Sequence, residues 1–264
     1  YRTRAVRPNL AVMLGLRDVQ GFAPLFSEHY RRAWSLIRPD ESGGDVRWLR
    51  PLQSRSALGS PLLRVLGARF LLAEMVLEHP DWKPVLQSEG LVVHESTRRP
   101  LRARVVGRGA PAGTDREALA RLADPSFEPN RETVLVGERI ERWDAAMPGR
   151  TGSARVIAET PRKVELAVEA TRDSLLVLAD TFHPDWKATV DGRETGILRA
   201  DVAFRAVPVP EGSSEVVFRH RPRWLAPSLF TGGVASLVAL CLACGPWRRS
   251  GRRGAEPRAA VASR

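Results

Sequence analysis

Apolar and polar residues change their spacing part-way along the chain. From Glu132 onward the period is two: Val164, Leu166, Val168 and Ala170 alternate with Lys163, Glu165 and Glu169, as in a strand with one face on a core and the other in water. Further runs at Thr133–Gly137, Ala154–Glu159, Ser174–Ala179, Lys187–Val190, Ala203–Val209 and Ser214–His220 are separated by turn residues. Asp191 and Gly192 lie between two extended runs and signal a hairpin, because that turn wants positive φ. Short strands at this spacing predict a β-sandwich.

The first hundred residues mix signals. Helices are expected at Asn9–Leu16, Pro24–Ile37 and Pro61–Leu66, an apolar run at Ala68–Leu72, and strands at Leu91–His94 and Arg102–Val106. Gly107–Gly113 (GRGAPAG) reads as a loop. Thr114, with Glu117 three residues on, is an N-cap opening a short helix to about Ala123.

One segment follows neither period. Trp224–Trp247 contains no charged residue. About 20 apolar residues at 1.5 Å rise cross a hydrocarbon core of about 30 Å, and Trp224 and Trp247 suit its two interfaces. Pro227 falls in the first turn, and Gly245 with Pro246 ends the helix. Arg248, Arg249, Arg252, Arg253 and Arg258 follow it, against Arg219, Arg221 and Arg223 before it, so the positive-inside bias places the C-terminus in the cytoplasm and the bulk of the chain outside. The competing reading is a buried core helix. Gly232, Gly233 and Ser236 suit close packing against other helices. Leu62–Leu77 carries Arg64, Arg69 and Glu74 and is expected to stay outside the bilayer. The chain opens on Tyr1 without a Met or a signal segment, so transmembrane helices are expected upstream.

The expected fold class is therefore α+β: a small α/β unit over 1–106, a linker and short helix over 107–125, an antiparallel β-sandwich over 126–223, one C-terminal transmembrane helix over 224–247 and a basic cytoplasmic tail over 248–264. The 264 residues and 43% hydrophobic content support a sizeable core. A net charge of +11 would ordinarily suggest nucleic acid. Here Arg is interleaved with Asp and Glu, Lys occurs only at Lys83, Lys163 and Lys187, and the basic cluster is the stretch after the membrane segment. The expected partner is the lipid bilayer, and not nucleic acid.

No catalytic, cofactor-binding or metal-ligating constellation stands out. Cys241 and Cys244 have the spacing of a thiol pair but fall in the membrane segment, where they read as small packing residues. The Gly107–Gly113 loop lacks dinucleotide spacing. His29, His79, His94, His183 and His220 are scattered without zinc-site spacing. His-Pro-Asp-Trp-Lys occurs twice, at His79–Lys83 and His183–Lys187, either as paired sugar-binding elements or as two similar turns. Trp186, with Asp185 beside it, is the candidate sugar contact, against a core role for the ring. Asp180, Asp185 and Asp191 could gather around calcium or serve turns.

Ala179–Pro222 carries Pro184, Trp186, Val190, Asp191, Gly192, Phe204, Arg205, Ala206, Val207, Gly212, Phe218 and Pro222. In these residues it resembles the outer C-terminal domain of the YfhO family of bacterial multi-pass membrane proteins. Asp185 stands where that pattern usually has Gly, and His220 where it often has an aromatic. Ala118–Val136 and Asn9–Phe22 are also similar to family segments. The resemblance implies a cell-membrane location and a role in lipid-linked sugar transfer or glycosylation of cell-envelope polymers, with the catalytic carboxylate in an outer loop between early membrane helices upstream of this chain. The alternative is a non-catalytic binding or assembly module on the outer face.

Overall fold

The computed structural model describes residues 15–19, 27–37, 55–98, 100–137, 143, 148–223 and 225–244. It is a mixed α+β structure, mostly β-sheet, in two units, Tyr1–Arg221 and Pro222–Arg264.

The described residues of the first unit form three sheets. Strands β1 (Phe70–Ala73), β2 (Trp82–Ser88) and β3 (Leu91–Ser96) form a small antiparallel sheet in the order β1-β3-β2. A six-stranded sheet has the order β4-β9-β13-β12-β6-β5, from β4 (Ala103–Val106), β9 (Ser174–Thr181), β13 (Phe204–Val209), β12 (Leu198–Ala200), β6 (Glu132–Val136) and β5 (Arg108–Ala112). A five-stranded sheet has the order β11-β10-β14-β8-β7, from β11 (Arg193–Thr195), β10 (Trp186–Val190), β14 (Gly212–His220), β8 (Lys163–Ala170) and β7 (Gly152–Thr160).

Alternation decides which side chains meet. Val164, Leu166, Val168 and Ala170 of β8 are buried as their period requires, and with Val216 and Phe218 they pack against Val105, Leu176, Leu178 and Val207 of the larger sheet. This is the sandwich core. Leu175, Val177, Ala200 and Ala206 occupy the opposite face of the six-stranded sheet, with Leu135 and Trp143. Towards the β6–β5 edge, helices α1 (Glu28–Trp34), α2 (Pro61–Val65) and α3 (Asp115–Ala123) take part in a further cluster with Trp34, Leu62, Trp82, Leu122 and Val134. At the N-terminus of α3, Thr114 Oγ1 accepts from Glu117 N–H at 3.2 Å, the cap expected from the sequence.

The segment 107–113, expected to be a loop, is instead strand β5, parallel to β6. Its composition misled for a physical reason. An edge strand tolerates Pro111. Gly109 answers to close packing, since a Cβ there would lie 2.5 Å from Leu135 Cδ1. Nor does a division fall at 106 or 125, because β4 pairs with β9 in the same sheet as β5 and β6. The expected hairpin is present: Asp191 and Gly192 have φ of 50° and 77° and join β10 to β11. Between β12 and β13, Asp201 and Val202 also have positive φ, costly for a β-branched residue. The buried Asp201 carboxylate holds this bend by accepting from Thr133 Oγ1 and Val134 N–H, each at 2.8 Å, and from buried Arg104.

The second unit contains helix α4, Leu225–Cys244. Its 20 residues include no Asp, Glu, Lys or Arg, and its apolar side chains are not gathered on one face. Val234, Leu237, Val238 and Leu240 are exposed. Among the described residues no helix is long and apolar enough to cross a membrane; within α4 the described side chains are Ser228 and Thr231–Cys241. The expected helix over Asn9–Leu16 lies largely outside the described residues, as do Trp224, Trp247, Arg248 and Arg249.

Candidate functional site

The start of β10 and the end of β14 build a compact polar cluster. Phe182 N–H donates to Ala203 O at 2.7 Å, tying the chain to the larger sheet as it leaves β9. Pro184 then fixes a tight turn in which Trp186 N–H donates to His183 O at 3.0 Å and Asp185 N–H donates to His183 Nδ1 at 3.2 Å. Arg221 N–H closes the turn on Asp185 O at 2.8 Å. In the β10–β14 ladder Trp186 lies opposite His220, so the turn and the end of β14 share one corner.

Trp186 is half-buried. The Arg205 guanidinium lies 3.9 Å from its ring centroid, and His220 packs edge-on at 5.2 Å. Arg205 is itself buried, donating to Asp180 Oδ2 at 2.8 Å. Burial pushes its guanidinium down to about 10, against the opposing pull of Asp180, so it is still a cation at neutral pH and its stacking on Trp186 is a cation–π contact. Asp180 also accepts from Arg102 at 2.9 and 2.8 Å, and Arg102 continues to Glu159. Beside Trp186 a hollow of about 180 Å³ is lined by Phe182, His183, Pro184, Lys187, Thr195 and Ile197 among others.

The singled-out residues that the structure describes now have places. Trp186 borders the hollow but gives part of its ring to Arg205, and Asp185 is buried in the turn beneath it. Asp180, Asp185 and Asp191 hold separate structural roles rather than one ion: Asp180 bridges two arginines, and Asp191 Oδ1 accepts from Glu215 N–H at 2.8 Å. Cys241 and Cys244 lie on α4, with Cys241 exposed. His29 contacts Asp115 at 3.0 Å, and buried His94 accepts from Leu77 N–H at 2.9 Å.

The histidines that looked scattered are not all apart. Among the described residues, one group of His, Cys, Asp and Glu has ligand atoms close enough to share a metal ion: His183, Asp185 and His220, all within 4.8 Å of one another. Sequence spacing missed it because His220 arrives on β14, far along the chain from the turn, and its register against β10 brings the three together.

The other His-Pro-Asp-Trp-Lys copy makes the same turn. Asp81 N–H donates to His79 Nδ1 at 3.1 Å, Trp82 N–H to His79 O at 3.1 Å, and Thr97 N–H to Asp81 O at 2.9 Å. Here the residue opposite Trp82 is Ser96, and Asp81 accepts from Arg98 at 2.6 Å. Trp82 is buried and donates its indole N–H to Leu58 O at 2.9 Å. A separate apolar row, Phe70, Leu72 and Leu86, is exposed on the three-stranded sheet. No protein-family model, curated protein or solved structure matches the chain.

Proposed function

We propose that this chain is the outer-face module and final transmembrane helix of a YfhO-type bacterial membrane protein that serves lipid-linked sugar transfer to cell-envelope polymers. The observation that supports it is α4. An uncharged helix of 20 residues, apolar around its circumference and exposing Val234, Leu237, Val238 and Leu240, leaves its side chains in water unless lipid or other helices cover them. In the sequence the uncharged stretch runs from Trp224 to Trp247, and about 20 residues at 1.5 Å rise amount to about 30 Å. In this reading the sandwich is a platform on the outer face and the catalytic carboxylate belongs to an outer loop between early membrane helices.

Two measurements test the two halves of the reading. Membranes carrying the chain are washed with alkaline carbonate; retention in the pellet is expected, and release into the supernatant would sink the membrane assignment. Deletion of the gene is expected to lower the sugar content of envelope polymers, and unchanged glycans would remove the transfer role. A second reading, a binding or assembly module without a part in transfer, is favoured by the hollow beside Trp186. It predicts loss of partner or polymer association with glycan composition intact.

A further inference from the structure

We propose that His183, Asp185 and His220 bind a divalent d-block cation, zinc by preference, at the corner where the turn before β10 meets the end of β14. Two imidazoles and a carboxylate are the donor set of zinc sites with three protein ligands, whereas calcium and magnesium favour all-oxygen sets. The spacing suits that chemistry. His183 Nδ1, which accepts the Asp185 N–H and so carries the lone pair, lies 3.8 Å from the Asp185 carboxylate. That is long for a hydrogen bond. Two zinc–ligand bonds of about 2.0–2.1 Å at the tetrahedral angle span roughly 3.3 Å, so a small closure puts both atoms on one ion.

The three ligands differ in freedom in a way that allows this closure. Asp185 is buried and its backbone is pinned by Arg221 N–H, while His220 is oriented by the edge of Trp186 and by the ladder. His183 is the exposed partner, its side chain 58% accessible to solvent. It can exchange its contact with the Asp185 amide for the metal by rotating its ring. Three protein ligands leave a coordination position for water or for an oxygen of a molecule in the adjoining hollow, lined by His183 and Trp186. The other copy of the pentapeptide lacks the set, because Ser96 stands where His220 does.

The full chain in detergent, stripped with a chelator, is titrated calorimetrically with zinc chloride alone. One zinc per chain is expected for the parent protein and for His79→Ala. Loss of an outer partner alone weakens metal sites about 10–100-fold, so His220→Gln, Asp185→Asn and His183→Ala should each weaken binding by at least about tenfold. Cobalt(II) at the same site should give the visible absorption of a four-coordinate ion, absent in His220→Gln. His183→Ala alters an exposed ring, so its near-ultraviolet circular dichroism is expected to match the parent and separates lost ligation from lost folding. Absence of zinc uptake by the parent chain, or uptake by His183→Ala and His220→Gln as tight as the parent's, overturns the proposal. The outcome is independent of whether α4 spans a membrane.

Discussion

At His79–Lys83 and at His183–Lys187 the chain makes the same turn, with matching hydrogen bonds from Asp to His, from Trp to His and from the chain beyond the facing strand to the Asp carbonyl. In both, Trp opens a strand that ends in a two-residue turn with positive φ, Glu89-Gly90 and Asp191-Gly192. What differs is who faces the Trp. In the first copy it is Ser96, delivered by the hairpin's own returning strand, and Trp82 sinks into the helix-packed cluster. In the second it is His220, delivered by β14 from much later in the chain, and Trp186 stays half-buried over Arg205. A pentapeptide thus fixes a turn, while its cross-strand neighbours decide whether that turn anchors a core or presents ligands.

The largest effect should come from the two tryptophans. Trp82→Ala removes a buried ring and leaves Leu58 O without its donor, so about 3–5 kcal/mol of stability is expected to go. Trp186→Ala loses a half-buried ring and its cation–π contact, about 1–2 kcal/mol. Urea unfolding monitored by circular dichroism measures both. Equal losses would erase the distinction between anchor and surface.

Next in size is zinc. If the second turn holds the ion, zinc at a hundredfold excess over its dissociation constant stabilises the fold by about 2.7 kcal/mol. Thermal unfolding should shift upward with zinc in the parent and in His79→Ala, and stay put in His220→Gln. A shift in His220→Gln equal to the parent's would place the ion elsewhere.

How much of this was legible beforehand follows the same division. Period-two alternation located β8 and most of its partners, and Asp191-Gly192 located a hairpin, because both signals are local. Strand β5 was hidden by Gly109, Ala110, Pro111 and Ala112, whose turn-like composition answers to an edge position and a close approach of Leu135. The division expected near residue 106 failed because β4 pairs with β9 across a long sequence gap. His183 and His220 were each visible as histidines. Their meeting depends on strand order, which no spacing rule along the chain encodes.

A smaller effect should treat the two copies alike. Gly90 and Gly192 have φ of 79° and 77° with open space around a Cβ, so strain rather than collision decides. Gly90→Ala and Gly192→Ala should each cost about 1 kcal/mol in urea unfolding. A several-fold difference between them would show that the two hairpins are under different constraint, and the likeness of the copies would then end at the Trp.

The smallest effect concerns the ion pair of the first copy. Arg98 is about half exposed where it meets Asp81, and Asp81 draws its guanidinium pKa upward through that hydrogen bond. Exposed pairs are worth under about 1 kcal/mol and fade with salt, so Arg98→Ala should lower stability by no more than that, and by less in 1 M salt. Its value lies in the metal titration. The variant releases Asp81 beside His79 but leaves Ser96 opposite Trp82, so two potential ligands remain where three are required. Zinc stoichiometry should therefore stay at one per chain. A second zinc bound by Arg98→Ala would mean that sequestration of the carboxylate, and not the missing cross-strand histidine, keeps the first turn from binding metal.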